Sequence, residues 1–168
     1  MSKDPDNPET IERTFIAFKP DAVQRGIVGE ILHRLERAGL KISALKMIHA
    51  SDELLEEHYS EHKGKDFFQN LVDFMGGGPV IAGVLEGVKA VSVVRKLVGE
   101  TEPYEAAPGT IRGDYSHVSV EHANRKGKAV KNVIHASGNL EEARKEIDLW
   151  FDEDEIFTYE RTDDDHIR

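Results

Sequence analysis

Arg13-Thr14-Phe15-Ile16-Ala17-Phe18-Lys19-Pro20-Asp21 is an apolar run that stops abruptly. Its first six residues read as a compact buried strand. Pro20 has no N–H to give to a ladder and cannot continue a central strand, so Lys19 projects from the strand's end. In an open sheet flanked by helices, that end is a common ligand position. The plain alternative for Lys19 is a solvated strand terminus.

Working outward, residues 26–38 have helical spacing, with Ile27, Val28, Ile31, Leu32 and Leu35 on one side and Gly39 as a stop. Residues 40–49 alternate as a strand. Ser51 is placed to cap a helix over 52–61, and a second short helix over 66–75 ends at Gly76-Gly77-Gly78-Pro79. The pattern then predicts a strand over 80–86, a helix over 88–98, a fourth strand over 115–120 and a long helix over 140–151. Residues 121–131 are polar and basic and read as an extended surface loop. Residues 1–11, with Pro5 and Pro8, read as a flexible arm, and 161–168 as an acidic tail. Between them, 12–160 form a single domain. Without the helical pair after Ser51 the order is βαββαβ. That is an α+β, ferredoxin-like sandwich with a four-stranded antiparallel sheet, its helices expected on one face.

The chain has 168 residues, 32% of them charged, and a net charge of −10. That is enough chain for one real core. The negative charge argues against a general nucleic-acid or anionic-membrane surface, so an anionic ligand needs a local positive island. With no cysteine, disulfides, thiolate chemistry and cysteine-ligated zinc are excluded. No apolar run has spanning length, and a cytoplasmic protein is expected.

The chemistry-bearing residues fall in a few clusters. In Asn132-Val133-Ile134-His135-Ala136-Ser137-Gly138 an apolar pair delivers a histidine into a turn ahead of a helix. A neutral imidazole held there is a competent nucleophile; the plain alternative is a structural histidine in a capped loop. Arg95, Thr101 and Arg112 lie amid Gly99, Pro103, Pro108, Gly109 and Gly113, two guanidiniums and a hydroxyl suited to a phosphate chain. His58-Tyr59-Ser60-Glu61-His62 fits H-x-x-E-H, which would put two histidines on one helical face for a metal; the alternative is a solvated face with Tyr59 turned inward. Arg112-Gly113-Asp114 matches an adhesion tripeptide by coincidence. No phosphate-binding glycine loop, dinucleotide fingerprint or protein-kinase catalytic set is present.

Four blocks together resemble nucleoside diphosphate kinase: Phe18-Lys19-Pro20-Asp21-Ala22-Val23-Gln24-Arg25-Gly26, Gly99-Glu100-Thr101-Glu102-Pro103, Pro108-Gly109-Thr110-Ile111-Arg112-Gly113-Asp114, and Asn132-Val133-Ile134-His135-Ala136-Ser137. They stand in that family's order and spacing across residues 13–157. The resemblance implies ping-pong transfer of the γ-phosphate of a nucleoside triphosphate to a nucleoside diphosphate through phosphohistidine, maintaining triphosphate pools. His135 matches the nucleophile. Lys19, Tyr59, Arg95, Thr101, Arg112 and Asn132 match residues that hold phosphates, sugar hydroxyl or the histidine's surroundings. Phe67 and Leu71 match the pair that packs on the base, Glu146 the carboxylate that orients the histidine, and Ser137 its hydroxyl neighbour. The resemblance further implies Mg²⁺ held mainly by nucleotide phosphates with no direct protein ligand, and a homo-oligomer, a hexamer more than a tetramer, built through residues 99–114. Membrane and nucleic acid are not expected partners.

The sequence departs from that pattern in three places, one of them Gly76-Gly77-Gly78, which is richer in glycine than the family's turn between helix and strand. Ala22 stands where many members have glycine, and 121–131 is longer than the usual link to the histidine, so the residue closing the far side of the base pocket is not placed. The rival reading is a non-catalytic nucleotide-binding or nucleic-acid module of the same fold. A zinc hydrolase built on His58 and His62 is a distant third.

Overall fold

The sheet is built around β1 (Ile11–Phe18), whose two faces are both apolar. Phe15 and Ala17 point into one cluster and Ile16 and Phe18 into another, all four fully buried. Burying one such aromatic side chain contributes roughly 1.5–3 kcal/mol. The structure, a computed structural model, describes residues 11–167. The expected arm over 1–11 therefore lies outside the described residues except for Ile11, which begins β1.

The other strands are β2 (Lys41–Ile48), β3 (Val80–Val88) and β4 (Ile134–Ala136). Their order across the sheet is β2-β3-β1-β4, and every neighbouring pair is antiparallel. This is the expected ferredoxin-like α+β arrangement. One element differs. The fourth strand is not over 115–120. Residues 111–115 form α6 (Ile111–Tyr115), and Ser119 Oγ caps α7 (Val120–Arg125) by accepting from His122 N. The place beside β1 goes instead to three residues, with Ala17 opposite His135. Part of the expected surface loop over 121–131 is thus helical.

The helices are α1 (Pro20–Gln24), α2 (Val28–Arg37), α3 (Asp52–His58), α4 (Phe68–Gly76), α5 (Ala90–Val98) and α8 (Leu140–Trp150) besides those already given. They cover both faces of the sheet rather than one. Ile31 and Leu35 of α2 and Val94 and Val98 of α5 pack on Ile16 and Phe18. Leu55 of α3, Val72 and Met75 of α4 and Ile147 and Trp150 of α8 pack on Phe15 and Ala17. The second layer is required because β1 has no polar face to leave in water. At the chain's end, the Arg161 guanidinium donates to Leu40 O at 3.1 Å, ahead of a short helix, α9 (Asp164–Ile167). Among the described residues no helix is long and apolar enough to cross a membrane.

Candidate active site

His135 stands at the centre of β4, on the face it shares with Phe15 and Ala17, so its ring leaves the sheet towards α3 and α8. The segment before it is strained. Val133 has φ 62°, a left-handed conformation that a β-branched residue rarely adopts, and Ile134 N donates to Asn132 O at 2.8 Å to close a γ-turn. Such strain costs on the order of 1–3 kcal/mol and persists only where neighbours impose it. Here they do. Val133 N donates to buried Asp21 Oδ2 at 3.2 Å, and Val133 O accepts from Lys19 N at 2.9 Å. The β1–α1 junction thus fixes the peptide that aims the histidine. Asp21 is a residue the sequence reading assigned no role.

The ring's chemistry follows from its neighbours. His135 Nε2 lies 2.6 Å from Glu146 Oε1, and Ser137 Oγ donates to Glu146 Oε2 at 2.6 Å. Burial, then Lys19 and Arg112, lower the His135 pKa to about 3, so the imidazole is neutral in any physiological medium. A carboxylate only accepts, so Nε2 carries the proton and Nδ1 keeps a free lone pair. Burial raises the Glu146 carboxyl above its ordinary value. The ring itself is 21% exposed at one wall of a cleft of about 600 Å³, which Glu57, His62, Glu142 and Lys145 also line.

Positive charge reaches the ring from the other side, at the end of β1 and the α5–α6 connection. Lys19 is buried, and burial together with Arg112 lowers its pKa to about 8. Arg112 is buried too, with Nε donating to Asn132 O, Nη1 to Gly99 O and Nη2 to Ile134 O, at 3.3, 3.2 and 2.7 Å. Burial and Arg95 lower its pKa to about 10, which leaves it charged at neutrality. Its turn admits no side chain at the next position: a Cβ on Gly113 would lie 2.1 Å from Ala107 O. Arg95 is exposed at the end of α5 and contributes its charge to both Arg112 and His135.

The Tyr59 hydroxyl and Asn132 Oδ1 are buried with no hydrogen-bond partner among the described residues. Asn132 Nδ2 donates to Thr101 O at 2.8 Å, which ties the Thr101 loop to the histidine strand. Burial, then the Glu146 charge, raise the Tyr59 phenol, keeping it a donor. A run of ring contacts leads from His135 to Tyr59, His62 and Phe67, with centroids 6.4, 6.3 and 5.4 Å apart. Phe67 is 42% exposed, with Lys65 Nζ 5.8 Å above its ring, and Leu71 packs against the core behind it. The eleven residues expected at the site are therefore divided: eight gather around His135, Thr101 among them through its bond to Asn132, while Phe67 and Leu71 stand further out along this aromatic path.

His58 does not pair with His62. The helix ends at His58, and Ser60–His62 form a separate 3₁₀ turn. The His58 side chain is buried under Trp150, whose Nε1 donates to His58 Nδ1 at 3.1 Å, and its ring meets that of His135 edge-on at 4.6 Å. The zinc-hydrolase reading of H-x-x-E-H loses its geometry, and the expected inward turn of Tyr59 is observed.

The family model described as nucleoside diphosphate kinase matches residues 12–156. The chain belongs to the nucleoside diphosphate kinase family. A nucleoside diphosphate kinase of Archaeoglobus fulgidus is 52% identical over 158 residues, 94% of this chain and 97% of the relative. One from Methanocaldococcus jannaschii is 49% identical over 146 residues, 87% of this chain and 97% of that one. Among solved structures, a transition-state mimic of the Borrelia burgdorferi enzyme with bound vanadate and ADP superposes with a TM-score of 0.91 at 41% identity, over 95% of this chain and 98% of that one. A halophilic enzyme from Halobacterium salinarum in complex with CDP superposes at 0.81 with 45% identity, over 90% and 95%. Family membership gives this chain nucleoside-diphosphate kinase activity and sets aside the non-catalytic reading of the fold.

Proposed function

We propose that His135 Nδ1 carries the phosphoryl group between nucleotides. In the first half-reaction the Nδ1 lone pair attacks the γ-phosphorus of a nucleoside triphosphate. The bond to the β-phosphate oxygen breaks and the diphosphate leaves. The second half-reaction runs the same steps backward onto another diphosphate. The observation that carries this reading is a neutral imidazole, anchored through Nε2 at 2.6 Å to Glu146, within the field of Lys19 and Arg112. No general base is needed, because the attacking nitrogen bears no proton. Phosphoryl transfer passes through a loose transition state, so placement and fixed charge do most of the work. Lys19, Arg95 and Arg112 provide that charge. Tyr59 and Thr101 donate hydrogen bonds to the phosphates, and Asn132 Oδ1 accepts from a sugar hydroxyl. Incubation with γ-labelled ATP is expected to give an acid-labile, alkali-stable label on His135 that chases onto GDP. A label that never forms, or forms elsewhere, rejects the assignment.

The divalent cation is Mg²⁺. The cradle suits an ion brought in by the nucleotide: its charged groups are cations, and the oxygens a hard ion prefers come from the phosphates. Bound there, the ion would neutralise phosphate charge alongside Lys19, Arg95 and Arg112. The working form is a cytoplasmic homo-hexamer built through residues 99–114, where Tyr104 is 73% exposed. Light scattering tests the oligomer.

Lys19 sets an expected pH dependence. A lysine is cationic below its pKa and neutral above it, so the phosphate clamp weakens as pH rises through about 8. The expected kcat/KM is level through neutrality and falls with an alkaline midpoint near that value, since this parameter reports the free enzyme. Lys19→Gln should lower activity and remove this limb. An unchanged alkaline limb in that variant contradicts the assignment. Base choice should be lax, because Phe67 offers a π-face that every base can stack on. Initial rates with ADP, GDP, CDP and UDP are expected to agree within about tenfold, and differences of several orders of magnitude would count against Phe67 as the base platform.

A further inference from the structure

His58, His135 and Glu146 each place one ligand atom within 4.8 Å of the other two. Two imidazoles and a carboxylate are a donor set that zinc accepts. We propose that these three groups form a binding site for Zn²⁺ that switches His135 off as a nucleophile. This rests on the reading of Nδ1 as the attacking atom.

The geometry is close to what an ion needs. His135 Nε2 lies 2.6 Å and His58 Nδ1 3.8 Å from Glu146 Oε1. Donor atoms around a tetrahedral zinc stand about 3.3–3.5 Å apart, so shifts of under about 1 Å bring these distances into range. His58 Nδ1 already presents a lone pair, since it accepts from Trp150 Nε1. Zinc would take the place of that donor. Glu146 Oε2 is held by Ser137 Oγ, which leaves Oε1 to turn towards an ion and gives the carboxylate an outer support. The cleft lined by all three residues admits the ion and a water as fourth ligand. The positive charges of Lys19, Arg112 and Arg95 act on the ring and oppose a dication there, while Glu142 favours it. Hard ions such as Mg²⁺ prefer all-oxygen sites and would not compete for the two nitrogens.

The inhibition follows from tautomer chemistry. A neutral imidazole that gives its Nε2 lone pair to zinc must hold its proton on Nδ1. The proton leaves Nε2 and is taken up at Nδ1, with no net release. The lone pair that attacks phosphorus is then occupied by that proton, and no bond to phosphorus forms. Zinc would thus act on the nucleophile itself rather than by displacing Mg²⁺ from nucleotide.

The test uses the full chain without nucleotide, titrated with Zn²⁺ against a chromophoric chelator. A parallel assay follows the rate of His135 labelling from Mg·ATP at buffered free zinc. One zinc per chain is expected, with labelling falling in step with occupancy. His58→Gln and Glu146→Gln, each compared with its own zinc-free rate, should weaken zinc binding by at least about tenfold. His122→Gln, on exposed α7, should leave zinc affinity unchanged. Cobalt(II) added to wild type should give the visible bands of a four-coordinate nitrogen and oxygen site, lost in either variant. Undiminished zinc affinity in both variants, or full occupancy without slower labelling, overturns the proposal. If His58→Gln does not fold, Glu146→Gln decides alone. Wild type that fails to label without zinc overturns the phosphohistidine reading itself, and the inhibitory role with it.

Discussion

Replacing His135 by alanine is expected to lower turnover by at least about 10⁴-fold, because the covalent intermediate loses its only acceptor atom. The fold should survive. His135 lies in a three-residue strand whose ladder with β1 is made by backbone groups, and its ring is partly open to the cleft. Nucleotide should still bind, since Lys19, Arg95, Arg112 and the Tyr59 hydroxyl remain. The measurements are steady-state exchange between ATP and GDP, equilibrium binding of ADP, and circular dichroism. Normal turnover in the variant removes His135 from the mechanism. Loss of ADP binding together with turnover would mean that the substitution had damaged the pocket rather than the chemistry.

Arg112→Ala carries the second-largest effect, and it should appear in two quantities at once. Removing a preorganised charge from a phosphoryl-transfer site costs on the order of 2–4 kcal/mol of transition-state stabilisation. The structure adds a stability cost, because this guanidinium donates to three main-chain carbonyls, those of Gly99, Asn132 and Ile134. Leaving a buried acceptor without its donor costs about 1–3 kcal/mol. Thermal unfolding should therefore shift down in parallel with kcat. Arg112→Lys separates the two effects. It keeps a charge but cannot reach three carbonyls with a planar fork, so it should recover rate more than stability. A change below twofold in kcat for Arg112→Ala would show that this guanidinium only ties loops together.

The same bonds explain why parts of this molecule were legible in the sequence and parts were not. Strand β1 and helices α2, α5 and α8 announce themselves, because their periodicity is local and their burial reinforces it. The fourth strand does not. Residues 115–120 alternate as a strand should, yet Ser119 caps a helix there, and the ladder goes to Ile134–Ala136. Three residues carry no readable period, and their conformation is imposed by Phe15 to Phe18 across the sheet. The second layer of helices was equally hidden, since the apolar run of β1 does not say which helices will cover which face.

For the site, residue type and setting drew attention to His135, Lys19, Arg95, Thr101 and Arg112, while Asn132, Glu146 and Ser137 came only from the resemblance to nucleoside diphosphate kinase. What the sequence alone determined was thus the chemistry available and the elements with local signatures. Tertiary structure decided how that chemistry is set: the left-handed turn at Val133 held by Asp21, His135 Nε2 held against Glu146, and His58 drawn beneath Trp150 beside the His135 ring. Each of these joins residues 11 to 112 positions apart along the chain, and a contact across such a separation leaves no trace in the pattern of either segment by itself.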